Sequence, residues 1–213
     1  MGRVVLAMGL MLGLVPGAVR AETPGAEAGT AWKPALYVDA YKVPEEDGYV
    51  VPTIFLDRGP LHLEGRYNYE DFDTASLHAG WGFTFGGEEK FAKLTPMLGG
   101  VFGNVNGMAP GLEIEARWGR VAYWLESEYL IDFEDSAGSY LYTWSELNFY
   151  ALDWLWLGGS LQRFKALQSP TEVDVGPMIG AGRPGSPGWG VSFYAYGLTR
   201  SAPTYLLTLA VQL

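Results

Sequence analysis

Apolar residues recur at every second position along most of this chain. In the stretch 61–70, Leu61, Leu63, Gly65, Tyr67 and Tyr69 fall on one face, and His62, Glu64, Arg66, Asn68 and Glu70 on the other. Residues 112–118 and 121–129 repeat the pattern, and 205–213 carry it to the last residue. Successive side chains of a β-strand point to opposite sides of the pleat, so a period of two predicts strands with one apolar and one polar face. The runs extend about 10 to 14 residues, against the 5 or 6 usual in soluble proteins. Tilted strands that cross a bilayer need about 9 to 11. A soluble sandwich would hide its apolar faces between two sheets. In lipid every backbone N–H and C=O must be paired, so such a sheet has to close on itself.

Twelve strands are predicted, near 35–42, 49–57, 60–70, 75–85, 91–103, 106–118, 120–133, 139–151, 154–166, 171–181, 189–198 and 204–213. The expected fold is all-β: a single closed antiparallel transmembrane barrel, with ten or fourteen strands as the alternatives. Connections alternate between short turns (at 57–59, 86–89, 119, 153 and 182–188) and longer loops (at 43–48, 70–74, 103–107 and 134–139). Short periplasmic turns opposite longer extracellular loops are the outer-membrane layout. Rings gather at the same ends. Phe83, Phe85, Trp118, Phe149, Trp154, Trp156 and Trp189 lie near the turns, and Phe72, Phe102, Phe133, Tyr140 and Phe164 near the loops. They are expected to form the two interfacial belts.

The first residues read differently. Arg3 precedes an apolar run over 4–15, closed by Pro16 and Gly17, and Val19-Arg20-Ala21 offers small residues where a signal peptidase cuts. Residues 1–21 are therefore expected to be a secretory signal peptide. The run is too short for a membrane-spanning helix, which needs roughly 20 apolar residues. Residues 22–33 lack any apolar period and are expected to be a flexible mature N-terminus, leaving the barrel to 34–213.

Composition adds three exclusions. The chain has no cysteine, so disulfides, cysteine zinc sites and cysteine lipidation are ruled out. Its net charge of −10 argues against nucleic acid as a partner. No cofactor motif survives scrutiny: Gly180-Ala181-Gly182-Arg183-Pro184-Gly185 fits G-x-G-x-x-G, but Pro184 and Pro187 forbid the helix that must follow. Pro96 and Pro177 fall inside strand patterns, where a missing N–H is most simply absorbed by a bulge.

With these features the chain, over residues 34–213, resembles the small Gram-negative outer-membrane β-barrel proteins as a group. The resemblance implies export through the inner membrane, contact with outer-membrane lipids and insertion by the barrel-assembly machinery. In that group the last strand commonly ends in an aromatic residue; here it ends in Leu213, with Tyr205 farther back.

Charges on the lipid face are expensive, so the polar face is expected to line the lumen. That lining comprises His62, Glu64, Arg66, Asn68, Glu70, His78 and Lys93, then Glu113, Glu115, Arg117, Glu126 and Glu128, then Glu146, Asn148, Glu172 and Asp174. Acids outnumber bases, which favours small cationic or neutral solutes over anions in a water-filled pore. The small barrels that pass acidic sugars resemble this one in size but have basic linings. Across the turn at Gly119, Glu113 and Glu126 are expected to face one another, with Glu115 and Glu128 beside them. Such a quartet either holds a cation or is satisfied by arginine.

Three functional readings follow: a porin-like channel with an acid-biased lumen, a plugged structural barrel, and an outer-membrane lipid hydrolase using Ser76 and His78. The last requires a lipid-facing pair. Outer-membrane lipid hydrolases place His before Ser, two apart; here the order is reversed and alternation points His78 inward.

Overall fold

The computed structural model describes residues 31–213 apart from 88, 89, 186, 200 and 201. The expected signal peptide at 1–21, and the 22–33 segment up to residue 30, lie outside them.

Thirteen strands follow in chain order: β1 (Lys33–Lys42), β2 (Tyr49–Arg58), β3 (Leu61–Tyr67), β4 (Thr74–Trp81), β5 (Phe83–Gly86), β6 (Lys90–Gly103), β7 (Gly107–Trp118), β8 (Val121–Asp132), β9 (Tyr140–Leu152), β10 (Leu155–Ala166), β11 (Glu172–Arg183), β12 (Gly188–Tyr196) and β13 (Thr204–Gln212). Chain neighbours pair antiparallel except β4 with β5, which both pair with β6, and β1 pairs with β13. The sheet thus closes into a barrel, with β5 paired on the β6 side alone. Among the described residues, the one helical element is a 3-10 turn at Ser136–Gly138.

The predicted strand at 75–85 is broken in two, and Pro96 explains the break. Gly80 faces Met97 and Phe83 faces Leu94, so the register is the same on both sides of the gap. Pro96 has no N–H to give to the facing strand. On the other side, the amide of Gly82 donates to the Pro60 carbonyl at 2.7 Å. β4 and β5 are therefore two pieces of one wall in a twelve-strand barrel. The bulges expected at Pro96 and Pro177 do not form, since register runs unbroken through Pro96 with β7 and through Pro177 with β10. The register shift falls at Leu155/Trp156 instead.

The outer face decides between barrel and sandwich. Leu77 is 64% exposed, Val175 60% and Leu147 56%, amid a continuous cover of outward Leu, Ile, Val and Phe. A water-soluble monomer does not tolerate that much contiguous apolar surface. A bilayer requires it. At the ends of this band, Phe83, Phe85, Trp118, Phe149, Trp154 and Trp189 are exposed near the short turns, and Phe72, Phe102 and Phe133 near the loops. Trp156, Tyr140 and Phe164, assigned to the belts by position, are instead buried. Their parity on β9 and β10 matches Glu146 and Gln162, so they point inward.

Candidate functional site

Strand parity places the lumen. The inward positions are odd on β1, β2, β6 and β7, and even on β3, β4 and β8 to β13, as the alternation of buried residues shows. Two kinds of lining result. The wall from β3 to β8 carries His62, Glu64, Arg66, His78, Lys93, Glu113, Glu115, Glu126 and Glu128, all buried. The opposite wall, β9 to β13 with β1, is packed with Trp144, Trp156, Tyr37, Tyr194 and Tyr196.

Arg66 organises the charged half. Its Nη2 lies 2.8 Å from Glu64 Oε2 and 2.9 Å from Glu126 Oε1, while Nη1 lies 2.9 Å from Glu128 Oε2 and 3.9 Å from Glu70 Oε1. β4, β6 and β7 separate β3 from β8 around the wall. The contacts to Glu126 and Glu128 are therefore chords across the lumen. The ring of Tyr69 lies 4.2 Å from the guanidinium carbon, and its hydroxyl donates to Glu126 at 2.8 Å. Next to this group, His62 Nδ1 is 2.7 Å from Asp57 Oδ1, with Nε2 3.6 Å from Glu64 and 4.0 Å from Glu113. Lys93 Nζ stands 3.8 Å from Glu115.

The aromatic half is knit by rings and hydroxyls. Trp124 meets Trp144 edge-on at 6.0 Å, and Trp144 meets Tyr194 at 5.7 Å. The Trp144 indole N–H donates to Ser160 at 2.6 Å, and Ser160 is 2.8 Å from the Tyr196 hydroxyl. Small inward residues make room for these side chains. A Cβ on Gly180 would sit 2.1 Å from Trp156 Nε1, and one on Gly99 would sit 2.2 Å from His78 Nε2.

Most residues expected in the lining are there, with these corrections. Asn68 has φ +57, which ends the alternation of β3. Its side chain serves the loop, donating to the Val50 carbonyl and accepting from the Asp73 amide. Tyr69 and Glu70 are then both buried, so Tyr69 joins the lumen rather than the lipid face. Glu172 is exposed at the loop end of β11, and Asp174 is half-buried. Arg117 is half-buried at the short-turn mouth, where its Nε donates to the Gly119 carbonyl at 3.1 Å. There it lines a vestibule of about 510 Å³ together with Arg120, Asp153 and Arg183. Gln162, ambiguous from the pattern, is buried and points inward, and Arg163 does not. Asp71, on the loop above β3, has its carboxyl raised above the usual range by partial burial, with the charge of Asp73 adding to the effect.

The quartet divides. Glu113 does face Glu126 across the β7–β8 ladder. Yet Glu115 goes to Lys93, and Glu126 and Glu128 go to Arg66. Among the described residues, the side chains whose ligand atoms converge are Glu70, His78 and Glu128, so the quartet contributes Glu128 alone. Ser76 and His78 are both buried on the inner face, and the residue between them, Leu77, faces lipid. A hydrolase acting on membrane lipid through this pair would need it on the other face.

Solved structures carry the same architecture. The KdgM porin superposes with a TM-score of 0.52 at 10% identity, covering 83% of this chain and 98% of that one. The chain has the porin barrel fold. The KdgM porin in complex with disordered oligogalacturonate aligns equally, with a TM-score of 0.52 and 84% of this chain covered. OpdO of Pseudomonas aeruginosa gives 0.45 at 11% identity, over 85% of this chain and 65% of that one. No family model and no curated protein matches the chain.

Proposed function

We propose that this barrel is a porin-like outer-membrane channel of small bore that favours small cations and neutral polar solutes over anions. One observation carries the reading. The buried acids Asp39, Asp57, Glu64, Glu70, Glu113, Glu115, Glu126, Glu128 and Glu146 face only Arg66 and Lys93 as buried fixed bases among the described residues, with His62 and His78 between them. A lumen with that imbalance attracts cations and repels anions. A solute like the oligogalacturonate bound by KdgM, an acidic sugar chain, is disfavoured on charge and on width. The arginines of the periplasmic vestibule temper the bias at that mouth without reaching the mid-lumen. The surroundings of such a channel are outer-membrane lipids, and its route into them is the barrel-assembly machinery.

A second reading has its own support. The chords from Arg66 to Glu126 and Glu128, and the buried ring layer beside them, fill the section as a structural barrel would. Passage then needs these side chains to swing aside, so the channel reading predicts small conductance. Planar-bilayer recording of the refolded barrel separates the two. Steps with a cation-selective reversal potential in a KCl gradient, reduced in Glu113→Gln/Glu126→Gln, support the channel. A folded barrel that stays silent supports the filled one.

A further inference from the structure

Glu70 from the loop after β3, His78 of β4 and Glu128 of β8 meet on the charged side of the lumen. One ligand atom from each lies within 4.8 Å of the others. The three residues are 2%, 3% and 1% exposed. His78 Nε2 stands 3.1 Å from Glu128 Oε2, yet neither ring nitrogen has an aligned hydrogen bond, while Glu70 has Ser76 and, at 3.9 Å, Arg66 Nη1 beside it. Buried polar groups are nearly always paired, and each exception needs a cause. Here the His78 imidazole is such an exception, and its ligand atom converges with those of Glu70 and Glu128.

We propose that Glu70, His78 and Glu128 bind a single divalent transition-metal ion. An imidazole with two carboxylates suits borderline cations such as Zn²⁺, Co²⁺ or Mn²⁺, whereas Ca²⁺ and Mg²⁺ prefer oxygen throughout. Glu64 and Glu126 lie beside the site through the arginine they share with Glu128, so acids outnumber the one guanidinium there. Arg66 donates to Glu128 Oε2 at 2.9 Å and so orients that carboxylate, as outer partners of metal ligands commonly do. Gly99 leaves the space that the His78 ring occupies. The site shares only Glu128 with the carboxylate quartet of β7 and β8, and it does not depend on whether the barrel conducts.

The test uses the barrel refolded without a histidine tag, loaded with Zn²⁺ and stripped of excess metal. Elemental analysis should find one Zn²⁺ per barrel, Co²⁺ loading should give visible d–d absorption, and Zn²⁺ should raise the unfolding temperature. His78→Asn and Glu70→Gln should each cut bound metal at least about tenfold, while Glu113→Gln, outside the ligand set, keeps it. Folding of each variant is checked by its heat-modifiable gel mobility. Folded wild type that retains no metal and shows no Zn²⁺-dependent stabilisation overturns the proposal. So does undiminished binding in folded His78→Asn and Glu70→Gln.

Discussion

Replacing Arg66 with methionine tests whether the lumen is dry. The side chain is 0% exposed and lies within 2.9 Å of carboxylates from Glu64, Glu126 and Glu128. Methionine fills much of the same volume but leaves those acids facing one another without a cation. In a low-dielectric interior, removing one partner of a buried pair costs about 3–5 kcal/mol, because the abandoned charge stays desolvated. In a hydrated pore the same pairs would be screened and worth about 0–1 kcal/mol. The two pictures therefore differ by several kcal/mol, roughly two to three decades in the unfolding equilibrium. Urea unfolding in lipid vesicles, followed by tryptophan fluorescence, measures it; Trp124 and Trp144 sit in the same lumen and report its packing. Glu126→Gln in the Arg66→Met background should recover part of the loss, since it removes one unpaired charge. Arg66→Lys should not restore wild-type stability, because a point charge cannot fork to three acids. A loss below about 1 kcal/mol for Arg66→Met would refute the dry, ion-locked section.

Four further outcomes follow from the same geometry. Gly99→Ala forces its Cβ to within 2.2 Å of His78 Nε2, which should cost about 1–3 kcal/mol as overpacking. Gly100→Ala, which meets only open space on the outer face, should be near neutral in the same unfolding assay. Leu77→Arg on the lipid face should destabilise the inserted barrel by about 2–4 kcal/mol, read from unfolding in vesicles; little change would mean that Leu77 does not face hydrocarbon. Trp144→Ala should destabilise by about 3–5 kcal/mol and raise single-channel conductance by emptying part of the ring layer.

The strand pattern was legible because alternation is local chemistry. His62, Glu64, Arg66, His78, Glu113 and Glu126 were placed inward by parity alone, and the Glu113–Glu126 facing pair by the shortness of the turn at Gly119. Where the backbone leaves the pleat, parity failed: the positive φ of Asn68 withdrew that residue and turned Tyr69 inward. Trp124 and Trp144 went unassigned, because an apolar side chain carries no mark of its own for the face it takes. On β9 both faces are rich in apolar residues, and the polar marks that disclose the inward parity of Trp144 are Glu146 and Asn148.

By itself the sequence determined the closed, all-strand architecture, the alternation of short and long connections and the apolar outer band. Each follows from neighbours along one strand or across one turn. Only the tertiary structure decided which acids meet Arg66, since Glu126 and Glu128 reach it across the lumen from sixty or so residues away in the chain. Closure likewise brought Glu70, His78 and Glu128 together. Chords across a barrel depend on how many strands close it and how their registers add up, and no local pattern encodes that sum.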